Sequence, residues 1–141
     1  MIQRIQSIWL LLAAIVAFVY TQVPLFTGTL PDGLERNYLA TENLLLFALA
    51  VAVGLIAATA IFLYKNRPMQ MRLCFFGLLG SIALIALEVL RLDNFKTDYQ
   101  VATGTYAWGS LLPIFLIVFF ILAWRGVRKD QKLIKSMDRL R

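Results

Sequence analysis

LCFFGLLGSIALIALEVLRL, residues 73–92, decides the fold class: Glu88 and Arg91 are its only charges. At about 1.5 Å of rise per residue the run is roughly 30 Å long as a helix, the thickness of a bilayer's hydrocarbon core. On a helical wheel Gly77, Gly80, Ser81, Leu84, Glu88 and Arg91 gather on one side. Phe75, Leu79, Ile82 and Val89 face the other way. The first set is predicted to face protein, with Gly77 and Ser81 as a small-xxx-small pair that lets a second backbone approach.

Three further apolar windows flank this one, at residues 8–26, 43–64 and 105–124. With 60% hydrophobic residues in 141, and a mean hydropathy of +0.75, the chain is too apolar for a soluble fold of its size. The expected fold is all-α: an antiparallel four-helix transmembrane bundle, residues 1–141 forming a single integral membrane domain. The first window runs on through AFVYTQVPLF without a small-x-small cleavage site and reads as a retained span rather than a leader. In the second, Ala50, Gly54 and Ala58 repeat the small-residue spacing, so they are expected to pack on Gly77 and Ser81. Pro113 lies inside the fourth window, where a kink is expected. Tyr20, Tyr64, Tyr106, Trp108 and Trp124 sit near window ends as interface anchors should.

Charge orients the spans. Of 14 Lys and Arg, 11 lie at Arg4, in the loop Lys65, Arg67, Arg72, or in the tail 125–141. The positive-inside rule then places both termini in the cytoplasm. The two outer loops carry a PDG turn signal and a weak alternation at Tyr99, Val101 and Thr103; they form either a small paired cap or plain loops.

A charged residue inside a span needs a reason. Glu88 and Arg91 are three residues apart, the spacing of an intrahelical ion pair. Counting from Arg72, Glu88 lies about 24 Å along the helix, roughly one turn inside the outer interface. The favoured reading is a structural clasp, which Arg36 and Glu42 of the first outer loop could join. The competing one is a proton or ligand site in an outward-facing pocket.

The tail RGVRKDQKLIKSMDRLR has two faces. Val127, Leu133, Ile134, Met137 and Leu140 share one arc, and Arg128, Lys129, Lys132, Lys135 and Arg139 oppose it. An amphipathic cytoplasmic C-terminal helix is predicted, its apolar face docking on protein and its basic face turned to lipid or solvent. Asp130 and Asp138 border the apolar arc, where a basic protein surface, Arg4 included, suits them better than anionic headgroups. Basic charge beside a bilayer is explained by orientation and lipid, so no nucleic-acid partner is expected. The expected partners are membrane lipid and, through the C-terminal helix, a protein or a second copy.

Several chemistries are excluded. One cysteine, Cys74, gives no dithiol pair, and the absence of histidine removes bis-His haem and the usual zinc sites. Cys74 itself reads as a small apolar helix residue. No nucleophile is spaced with a base, so neither enzyme activity nor a cofactor is expected.

The opening MIQRIQSIWLLLAA and the ending LLPIFLIVFFILAWRGVRKD with QKLIKSMDRLR resemble a family of small Bacteroidetes membrane proteins, domain of unknown function 4293. The resemblance implies a four-helix inner-membrane protein with cytoplasmic ends. It implies no activity, substrate or catalytic residue. Function is thus expected to be non-enzymatic: a structural or accessory subunit presenting a cytoplasmic platform to a partner or to itself. The alternative is a component of a small-solute or lipid transporter or channel, with Glu88 and Arg91 in the pocket.

Overall fold

The apolar windows fold as helices, and short polar residues and prolines set where each begins. The computed structural model describes residues 2–139, with side chains from residue 5 onward. Helix α1 is Ile2–Tyr20, α2 Leu44–Phe62, α3 Arg67–Asp98 and α4 Leu112–Asp138. Asn43 starts α2 by accepting the N–H groups of Leu45 and Leu46 at 3.2 Å, two donors that the first turn leaves orphaned. Asn66 does the same for Met69 at the head of α3, where Pro68 fits the first turn. Pro113 occupies the corresponding place in α4.

Helices α2, α3 and α4 are each long and apolar enough to cross a membrane; the described apolar part of α1, Ile5–Tyr20, is shorter. The chain therefore reads as a multi-pass, mainly helical membrane protein. Its outer surface agrees: Leu11, Ile15, Leu55, Phe76, Leu79 and Phe115 are all exposed, a belt that hydrocarbon would cover.

Two expected boundaries are corrected. The first helix ends at Tyr20, not near residue 26, because Pro24 has no N–H for a helix and Pro24–Thr29 instead forms a strand. The fourth begins at Leu112, not 105, because Thr103–Tyr106 is also a strand. Pro113 thus sits in a first turn, where no carbonyl loses a partner, and the expected kink has no cause.

Each helix packs on two others: α1 on α2, α2 on α3, α3 on α4 and α4 back on α1. Their shared core holds Ala13 and Ala17, Ala50 and Ala57, Leu84, Leu116 and Phe120. The small residues do not meet as expected. Gly54 faces Ala17 and Phe18 of α1, and Gly77 lies under the ring of Phe120 in α4. Contact between α2 and α3 passes through Val53 against Gly80, with Ala50 fully buried and Ala58 half-buried. A wheel identifies the buried face of a helix, but with two neighbours sharing that face it does not say which one takes the groove. Ser81 is fully buried and satisfies its own hydroxyl on Gly77 O at 2.8 Å.

The loops between α1 and α2 and between α3 and α4 pair into a three-stranded antiparallel sheet, β2-β1-β3, with β1 Pro24–Thr29, β2 Glu35–Leu39 and β3 Thr103–Tyr106. Thr27 stands opposite Asn37 on one side and Thr105 on the other. The PDG signal closes the β1–β2 hairpin: Gly33 takes φ +77°, open to glycine without strain, and its N–H donates to Leu30 O at 2.9 Å. A cap therefore forms, built from both loops. It explains why α3 continues two turns past its apolar run. Phe95 of those turns packs on Tyr38 and Tyr99 at centroid distances of 5.0 and 4.9 Å, and edge-on to Phe26 at 6.3 Å. Lys96 lies 5.0 Å from the Phe26 ring centroid and 4.9 Å from that of Tyr106, and Arg36 lies 4.3 Å from that of Tyr99.

Candidate functional site

Along its length α3 buries a stripe that includes Cys74, Gly77, Ser81, Leu84, Glu88 and Leu92; of the six residues the wheel gathered, Gly77, Ser81, Leu84 and Glu88 are buried, and Gly80 and Arg91 are half-buried. A carboxyl removed from water needs a partner. For Glu88, 4% exposed, the partner is Tyr20, whose hydroxyl donates to Oε2 at 3.0 Å. The expected Glu88–Arg91 ion pair is not made: the ion pair among the described residues is Arg36–Glu42 at 3.4 Å. Glu88 points into the helical core, whereas Arg91, three residues on and offset by about 60° around the helix, is half-buried and lines a separate hollow. Tyr20 is accordingly no lipid anchor; it is fully buried.

The hollow beside Arg91 holds about 200 Å³ and is bordered by Tyr38, Glu42, Asn43, Asp98 and Tyr99. Burial pushes the Tyr38 hydroxyl above its ordinary pKa, with Glu42 acting in the same direction and Arg91 against it. Arg36 and Glu42 do not join Glu88; they pair with each other at the surface.

The other end of the helices is built differently. Gln70 is buried and donates through Nε2 to Ala60 O at 3.0 Å, closing α3 onto the end of α2. Gln6 of α1 lies across Gly126 of α4, where a side chain would collide with it. One turn beyond Gly126 is Asp130, 6% exposed. Gln6 Nε2 and Asp130 Oδ2, a donor and an acceptor, are both buried without a hydrogen-bond partner among the described residues. The side chain of Arg4 lies outside the described residues, as does Leu140, and so does any Arg4–Asp130 or Arg4–Asp138 contact.

Helix α4 continues through the tail without a break to Asp138. Leu116, Phe120, Ala123, Val127 and Asp130 form its buried stripe. Ile134 and Met137 prolong the stripe by 4 and 3 residues and are 38% and 66% exposed. Asp138, Arg128 and Lys129 are exposed as well. Arg128 stacks its guanidinium 5.2 Å from the Trp124 ring centroid.

Against known proteins, the model of one family, a domain of unknown function (DUF4293), matches residues 2–140. The chain belongs to that family. The match extends the resemblance seen at the two ends through the middle of the chain, so the Tyr20–Glu88 contact and the sheet lie within the family region. No curated protein and no solved structure matches.

Tyr20, Gln6 and Gln70 are the site residues that sequence reasoning missed or misassigned. Gln6 and Gln70 did have a signal: each is an uncharged polar residue next to an apolar run at heptad-like spacing from buried positions.

Proposed function

We propose that this family member is a non-enzymatic accessory subunit of the bacterial inner membrane, and that the distal part of α4 is its cytoplasmic docking helix. The observation that supports this best is the continuation of α4's buried stripe into exposed Ile134 and Met137. An amphipathic helix leaves such a face open at a cost in water, and a partner protein or a second copy removes that cost. The orientation is supported by Lys65, Arg67, Arg72 and the basic tail residues lying on one side of the spans.

The test places a photo-crosslinking amino acid at Ile134 or Met137 of the full-length chain in native membranes, with Lys135 as the control on the opposite face. Adducts to one protein, or to a second copy, from the apolar positions and not from Lys135 are expected. Equal labelling from all three positions, or adducts to lipid alone, would reject docking.

A second reading, a small-solute or lipid transport component, is supported by the hollow beside Arg91 at the sheet end. Glu88 is no part of it, being closed off behind Tyr20. On that reading Arg91→Ala abolishes uptake by proteoliposomes without lowering thermal stability.

A further inference from the structure

We propose that the cleft between α3 and α4 at the level of Trp124 is a binding site for one anionic phospholipid, with acyl chain in an apolar crevice and phosphate among basic side chains. This goes beyond the docking reading and does not rest on it, because it uses the opposite face of α4 from Ile134 and Met137.

Three adjoining hollows meet at Trp124. The first, of about 210 Å³, is walled by Cys74, Leu78, Phe120 and Ile121 and is almost wholly apolar. The second, of about 310 Å³, runs beside Phe75 and Phe76 to Arg72. A third, of about 450 Å³, follows α4 past Arg125, Arg128, Lys129 and Lys132. No acidic residue lines any of them. None of the five basic side chains makes an ion pair among the described residues.

Depth selects the ligand. Arg72 is the last charge before the apolar run of α3, and Arg125 is the first after that of α4. Both stand beside Trp124, which therefore marks the level where hydrocarbon gives way to headgroups. At that level a ligand with an apolar chain on one side and a phosphate on the other fills both parts of the cleft. The Arg128 guanidinium, held over Trp124, presents its N–H groups at the junction. Gly77 contributes from below: without a Cβ it lets the Phe120 ring lie back against α3, which keeps the crevice open. A free phosphate would use the charges and leave the crevice empty.

The full-length protein, purified in mild detergent, is offered phosphatidylglycerol or phosphatidylcholine of identical acyl chains, and bound lipid is counted by native mass spectrometry. Phosphatidylglycerol is expected to be retained in preference. Arg125→Gln and Arg128→Gln alter exposed positions that the fold does not need, and each is expected to weaken retention about fivefold while phosphatidylcholine is unchanged. Ile121→Trp, which fills the crevice, is expected to weaken phosphatidylglycerol with both arginines in place. Equal retention of the two lipids overturns the proposal, as does displacement of phosphatidylglycerol by an equal concentration of glycerol phosphate, which would make this a site for phosphate alone. Wild-type retention by Ile121→Trp also overturns it, since the lipid would then be adsorbed on surface charge. Ile134→Glu is expected to leave retention unchanged while abolishing partner crosslinks, so that the docking reading and this one fail separately.

Discussion

The contact between Tyr20 and Glu88 makes a prediction that an ion pair at Glu88 would not. Tyr20→Phe keeps the ring and removes the donor, leaving a buried carboxyl oxygen unpaired, at a cost of about 1–3 kcal/mol. Glu88→Leu does the reverse and strands the Tyr20 hydroxyl in a fully buried position, at a similar cost of about 1–3 kcal/mol. Replacing both leaves nothing unsatisfied, so the double variant should lie within about 1 kcal/mol of wild type, far from the sum of the singles. At this length 1 kcal/mol is worth roughly 3–5 °C in melting temperature, so each single variant should melt roughly 5–10 °C lower. The three tryptophans permit scanning fluorimetry in detergent as the readout. Arg91→Met serves as the control: it should couple to Glu88→Leu by less than about 0.5 kcal/mol, because Arg91 lines another hollow. Additive Tyr20 and Glu88 losses, or strong coupling of Glu88 to Arg91, would refute the assignment.

Other predictions concern the remaining interfaces. Gly77→Ala should cost about 1–3 kcal/mol by driving a methyl into the Phe120 ring, whereas Gly33→Ala should strain the hairpin turn and leave the helices intact; thermal melts and amide exchange separate the two. Asp130→Leu should keep or raise the melting temperature, because it removes a buried oxygen with no partner; a loss of several degrees would show that a partner beyond the described residues holds it. Tyr38 should ionise above the ordinary tyrosine pKa near 10, so any stability it contributes is present below pH 10 and is lost as pH rises through its own higher value; ultraviolet titration of Tyr38→Phe against wild type measures this.

Sequence periodicity located the helices well because a residue buried in hydrocarbon or core leaves a 3.6-residue trace. The stripe through Gly77, Ser81, Leu84 and Glu88 was legible for that reason. Partners across helices left no such trace. Arg91 is the charge nearest Glu88 in sequence, but Tyr20, 68 residues away, is the group that reaches it. The ends of the spans were misread where β-strands begin with the same residues as apolar helices: Pro24, Leu25 and Phe26 extend a hydropathy window as easily as they begin the central strand of a sheet. The cap was half legible, in PDG and in the alternation near Thr103, but the third strand needs both loops to meet in space.

The two ends of the molecule solve the same problem with different degrees of closure. At the sheet end the buried Glu88 has Tyr20 as its partner, and cations lie over aromatic rings beside strands that are themselves paired. At the other end, among the described residues, Gln6 and Asp130 keep unsatisfied atoms, Ile134 and Met137 extend a buried stripe into the open, and five cations stand without counter-charge beside an apolar crevice. The unsatisfied atoms and the open stripe carry a free-energy cost that binding would relieve, and the cations offer an anion charge to pair with. Protein and lipid relieve different parts of it, because the apolar stripe and the basic groove lie on opposite faces of α4. On the two proposals above, one helix holds a phospholipid and a protein partner simultaneously, and neither needs the sheet end to change.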